Sequence, residues 1–179
     1  IEDYADEWIT KAMFHYRWSY SADIKKAGDM LPRWNNTTTP DAVIRDRSEE
    51  IANLQISRLR YVGSNEVTRK TIEKSFARFL HLLNEHLENF PFMLGGRPSA
   101  CDFAIYGQLT CLALFDPTPQ ALIVENVPRV YAWTESLEDL SGYETLKTDW
   151  IDSVALPPTL VSFLNEIGKI YGPYLHAHA

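Results

Sequence analysis

The chain has 179 residues, 45% apolar and 23% charged, a balance that suits one folded domain and excludes a disordered chain. Seventeen Lys and Arg against 24 Asp and Glu leave a formal charge of −7 with no basic run, which excludes nucleic acid as an expected partner. The longest apolar stretches, Phe103 to Ile105 and Leu112 to Phe115, fall far short of the ~20 residues a membrane span requires. A soluble protein with no membrane partner is the expectation.

The first periodic segment runs from Ile1 to about Ala22 and places Tyr4, Ala5, Trp8, Ile9, Ala12, Met13, Tyr16 and Tyr20 at helical spacing on one broad face. Phe14 and Trp18 fall on nearly the opposite side. That predicts either a helix buried between two others or a face awaiting a second partner. Gly28 to Pro40 is rich in turn formers and reads as a loop. Thr39, Pro40 and Asp41 then open a helix to about Tyr61, with Thr39 as its cap and Ile44, Ile51, Leu54, Leu59 and Val62 as its core line. Gly63-Ser64 stops it. The next helix carries Ile72, Phe76, Phe79, Leu80, Leu83 and Leu87 on one side, and the short connection predicts antiparallel packing of these two helices.

After a turn-rich loop at 91–98, Ser99-Ala100-Cys101-Asp102 has the form of a capping box, with the carboxylate at the third helical position. From Phe103 to Phe115 only Gln108 and Thr110 are polar side chains, which predicts a central helix buried on all sides. Asp116-Pro117 ends it, and a short helical turn follows around Gln120 to Val124. Pro128 begins a helix with Val130, Trp133 and Leu137 inward and Ser141-Gly142 beyond its end. The last helix opens at Pro157-Pro158 and carries Leu160, Phe163, Leu164, Ile167 and Tyr171. No segment alternates at period two and no repeat is present. The expected architecture is one all-α domain over residues 1–179, a bundle of six or seven helices.

Chemistry is sparse along the chain. No phosphate-cradling glycine pattern and no nucleophile elbow appear, so no catalytic residue is assigned. His81 and Glu85 lack a second histidine at ligand spacing and read as a surface pair, so no metal site is expected. His176 and His178 read as a terminal tail. Cys101 and Cys111 lie on one helix about 15 Å apart, too far to bridge, and apolar burial of both predicts inert thiols. Two unpaired thiols without a leader sequence point to the cytoplasm, and the helical pattern already running at Ile1 reads as a fragment of a longer protein. The cluster suited to a ligand is Met13, Tyr16, Arg17 and Tyr20, which combines apolar area, phenols and a guanidinium.

The stretch from Phe92 to Phe103, an apolar run, Gly95-Gly96, Pro98-Ser99 and the capping aspartate Asp102, resembles the C-terminal all-helical domain of the cytosolic glutathione S-transferases. Asp116-Pro117, Pro128-Arg129-Val130, Trp133 and the helix order extend the resemblance over nearly the whole chain. It implies an upstream thioredoxin-like domain that binds glutathione, as co-substrate, and activates its thiol; no cofactor is implied. It further implies that Met13, Tyr16, Arg17 and Tyr20 line the pocket for a small electrophilic substrate, that Ser99 and Asp102 are structural, and that the whole protein is a homodimeric detoxification enzyme. Cys101 stands where the family has alanine most often. Since the family also contains non-catalytic members, a protein-interaction or assembly module is the alternative.

Overall fold

The computed structural model describes residues 1–34 and 36–178, apart from the side chain of His178; Asn35 and Ala179 lie outside the described residues. Among these the regular structure is helical, in eight helices with no strand. Helix α1, residues 2–19, is α-helical except for a wider π-turn at Ala5–Ile9, and it ends where Tyr20 goes extended at φ −115° and ψ 133°. The others are α2 (Ser21–Trp34), α3 (Asp41–Ser57), α4 (Arg69–Leu87), α5 (100–115), α6 (Pro117–Asn126), α7 (Pro128–Ser136) and α8 (Pro158–His178). Helix α5 is α-helical over Ala100–Leu109 and finishes in a π-turn at Thr110–Phe115.

The broad face of α1 is the spine of the core. Tyr4, Ala5, Ile9, Ala12 and Tyr16 are buried against Phe76, Phe79, Leu80 and Leu83 of α4, Ile105 and Leu109 of α5, and Phe163 and Tyr171 of α8. Trp18 is buried as well, at 3% exposure, while Phe14 beside it is half-buried. Trp18 therefore belongs to a helix enclosed from both sides within this chain, with α2 and α3 packed over its second half.

Several expectations give way to tertiary packing. Gly28 to Trp34 are helical, because α2 continues through them with Ala27, Gly28 and Pro32 turned inward. A Cβ at Gly28 would stand 3.4 Å from the Ser48 carbonyl oxygen, an ordinary contact distance, so Gly28 lies directly against α3 and the packing there carries the helix through a residue of poor helix propensity. Helix α3 is capped at Pro40, one residue later than expected, and it packs chiefly along α2 and not along α4. Of its expected core line only Ile44 is fully buried, and Leu54 is 49% exposed, since α3 lies on the outside of the bundle. A 3-10 turn at Leu59–Val62 follows it, and Gly63 closes that turn with φ +70°.

Helix α5 is the central helix, with Ile105, Leu109, Leu112 and Ala113 fully buried, yet it is not enclosed all round. Phe103 is 50% exposed and Gly107 is also at the surface, four residues apart on the open side. The turn expected at Gln120 to Val124 is the full helix α6, started by Pro117 directly after the extended Asp116. In α8, Leu160, Phe163 and Tyr171 are buried, while Leu164 is 40% exposed. The helix carries on past Pro173 through His176, which the sequence places in a tail.

The segment after α7 folds back on the 91–98 loop. The Gly96 amide donates to the Asp149 carbonyl at 2.6 Å, the Ile151 amide to the Leu94 carbonyl at 2.8 Å, and the Tyr143 hydroxyl to the Gly96 carbonyl at 3.0 Å. Gly95 sits at φ +124°, with the Asp149 carbonyl oxygen where a Cβ would be. None of the described helices is long and apolar enough to cross a membrane.

Candidate functional site

Four arrangements of polar or aromatic side chains stand out, and each begins on α1 or at the head of α5. At the head of α5 the capping box forms. The fully buried Asp102 carboxylate accepts from the Ser99 amide at 2.9 Å, the Ser99 hydroxyl at 2.5 Å and the Met93 amide at 2.7 Å. Burial raises the pKa of this carboxyl, and the three donors offset only part of that rise. The box thus does more than end a helix: it anchors the 91–98 loop to α5. His86 lies on the other side of that loop, its Nε2 3.2 Å from the Phe92 carbonyl oxygen and its Nδ1 2.9 Å from the Thr159 hydroxyl. The carbonyl accepts only, so the Nε2 nitrogen carries the hydrogen and Nδ1 accepts from Thr159. Burial lowers the His86 pKa.

The four residues expected to line a substrate pocket do not stand together. Tyr16 is buried and stacks on Tyr20 with centroids 5.6 Å apart, and both border a shallow groove shared with Glu73, Lys74, Ala77 and Leu122. Met13 is half-buried and packs against the core. Arg17 turns to the other side and forks onto Asp116, with Nε and Nη2 each 2.9 Å from its carboxylate oxygens. Asp116 is fully buried and Arg17 is 8% exposed, so this guanidinium is committed to a structural pair. It also stands 5.0 Å from the Phe115 ring and beside the half-buried Cys111 thiol. Cys101 is buried, which raises its thiol pKa, and both cysteines are free.

A smaller but more apolar opening lies on the broad face of α1, which the sequence pattern places wholly in the core. A cleft of about 350 Å³ runs between α1, the 59–63 turn, α4 and the end of α8. Its floor is Ile9, Ala12, Ile72 and Phe76, and Trp8 and Tyr174 form one wall with rings 5.4 Å apart. The Trp8 indole N–H donates to the Ser75 hydroxyl at 2.9 Å. Two cations sit at the rim: the Lys11 ammonium 4.8 Å above Tyr174 and the Arg60 guanidinium 4.8 Å above Tyr61. Apolar walls with cations at the mouth suit a flat apolar molecule bearing a negative or polarised group. Trp8 and Ile72 carried a signal only as members of core stripes, and Tyr174 carried none.

Beside this cleft, across the same turn, is a buried polar cluster. His15, 1% exposed, places Nδ1 2.7 Å from the Ser64 hydroxyl and Nε2 3.2 Å from a Glu73 carboxylate oxygen. The Tyr20 hydroxyl donates to the same Glu73 oxygen at 2.5 Å, and the Arg69 guanidinium lies 5.2 Å from the Tyr20 ring. Burial lowers the His15 pKa more than the Glu73 carboxylate raises it. Among the described residues no three His, Cys, Asp or Glu side chains are grouped to hold a metal ion.

No family model, curated protein or solved structure matches this chain.

Proposed function

We propose that this chain is the helical half of a glutathione S-transferase-type protein of the cytoplasm, working with a thioredoxin-like domain that holds glutathione. The observation that carries the reading is the Ser99–Asp102 box at the head of the central helix, bonded onward to Met93, because that is where the resemblance in sequence is most specific. In this reading the chain supplies the wall for a small electrophile and part of a homodimer interface. Tyr16 and Tyr20 keep the substrate-facing role at the groove they share, while Met13 supports them from the core side and Arg17 acts through its pair with Asp116 in holding α1 to the head of α6. The cleft at Trp8 and Ile72 offers that electrophile a second apolar wall. Thiol activation needs a donor beside the sulfur, which the family places in its other domain.

The commitment of Arg17 to Asp116 favours one other reading, a non-catalytic interaction or assembly module of the same fold. A conjugation assay separates them. The 179-residue chain alone should show no glutathione conjugation above background, and the chain joined to its thioredoxin-like domain should conjugate at least one small aromatic electrophile. An inactive two-domain protein across a broad electrophile panel would establish the module reading, and turnover by the isolated chain would overturn the division of labour.

A further inference from the structure

We propose that Ser64, His15 and Glu73 form an acyl-transfer site, with Ser64 as nucleophile, His15 as general base and Glu73 as the positioning residue for the imidazole, acting on small carboxylic esters. The three residues meet from three elements: α1, the turn after the 59–62 helix, and α4. Because a carboxylate only accepts, Nε2 of His15 must carry the hydrogen toward Glu73, 3.2 Å away. That leaves the Nδ1 lone pair facing the Ser64 hydroxyl at 2.7 Å, nearer than the Ser19 hydroxyl at 3.3 Å, the relation a base needs to take a proton from a nucleophile. Burial keeps His15 in the neutral form that can accept.

Ser64 is held rigidly. Its amide donates to the Leu59 carbonyl at 3.0 Å, and the Thr68 hydroxyl closes the same turn by donating to the Gly63 carbonyl at 2.6 Å. Glu73 is fixed in turn by the Tyr20 hydroxyl. A cavity of about 220 Å³ touches both Ser64 and His15 and is walled by Ser19, Leu59, Asn65, Glu66 and Arg69. Such a cavity lies below the usual range for drug-sized ligands and suits a short acyl group. Arg69, paired with Glu66 at 3.6 Å, is the cation lining this cavity that an oxyanion on the acyl group would draw on.

The step balances without any redox partner. The Ser64 oxygen bonds to the ester carbonyl carbon as its proton passes to Nδ1 of His15, and the Glu73 carboxylate stabilises the imidazolium. The bond from carbonyl carbon to the alcohol oxygen then breaks, and His15 returns the proton to the departing alcohol. Water repeats the sequence on the acyl-serine and releases the carboxylic acid with Ser64 restored.

The test uses a fluorophosphonate probe on the native chain, read by intact mass and peptide mapping, with 4-nitrophenyl acetate hydrolysis alongside. In labelling, the Ser64 oxygen bonds to phosphorus and fluoride leaves. The expected result is one adduct, mapped to Ser64, and turnover of the acetate that the adduct abolishes. His15→Gln should slow labelling about a hundredfold or more, with circular dichroism showing the fold retained. His15 faces Glu73, Glu66, Arg69, Tyr16 and Tyr20, and removing the closest negative charge by Glu73→Gln should move the pH midpoint of labelling downward. Absence of an adduct on the native chain, or an adduct at Ser19 or elsewhere, overturns the proposal. Since the decisive reading needs no variant, misfolding of a mutant does not rescue it.

Discussion

Arg17 and Asp116, 99 positions apart, form a buried forked ion pair that ties the end of α1 to the start of α6. Neither side chain has water to fall back on. Removing one partner strands the other, and loss of half of such a pair costs about 3–5 kcal/mol. Asp116→Ala should therefore lower the urea midpoint severely. Arg17→Lys should recover only part of the stability, because an ammonium cannot reproduce the fork. The pairing of Arg17→Met with Asp116→Leu should be more stable than either single change, since no charge is then left unpaired. Additive losses in urea melts would count against a coupled pair.

The cap at α5 predicts an asymmetry between its two members. Ser99→Ala should cost about 1 kcal/mol, the usual value for a helix cap. Asp102→Ala also strands the buried Met93 amide and should cost about 2–4 kcal/mol in total. The double variant should cost less than the sum of the singles, because both act through the same carboxylate. Equal losses for the two singles would show that the Met93 bond contributes nothing.

Two buried histidines set the acid response. Burial lowers the folded-state pKa of both His15 and His86, so on acidification the unfolded chain takes up their protons first. Their contribution to stability is present above the unfolded histidine pKa and is lost as pH falls through it, by up to about 1.4 kcal/mol per pH unit for each proton. Asp102 and Asp116, whose pKa values burial raises, work in the opposite sense, in the range where carboxylates titrate. Urea midpoints should fall between about pH 7.5 and about pH 5.5, and His86→Gln should flatten that slope. A midpoint unchanged over this window in the native protein would contradict the assignment.

Gly95 and Gly142 form a matched comparison. Both have positive φ, but only Gly95 has a backbone carbonyl, that of Asp149, where its Cβ would be. Gly142→Ala meets backbone strain alone and should cost about 1–2 kcal/mol. Gly95→Ala adds displacement of the 149–151 segment and should cost about 2–5 kcal/mol. Thermal melts that rank Gly142→Ala as the more damaging change would contradict this description of the junction.

What the sequence determined by itself is what acts over four residues or fewer. Helical period, the Pro128 start, the Gly63 stop and the Ser99–Asp102 box all rest on contacts between near neighbours, and each is found where its residues lie. Tertiary structure decided the rest. Gly28 and Pro32 carry a loop signature, yet they lie inside α2, turned inward where the helix packs on its neighbours. Arg17 carries a ligand signature, yet its guanidinium is spent on Asp116, a partner that no local spacing reveals. The meeting of His15 with Ser64, 49 positions on, and with Glu73, 58 positions on, has the same cause. Local hydrogen bonding fixes helices one turn at a time, but which faces meet depends on how apolar stripes from distant segments fit together, and only the assembled core settles that fit.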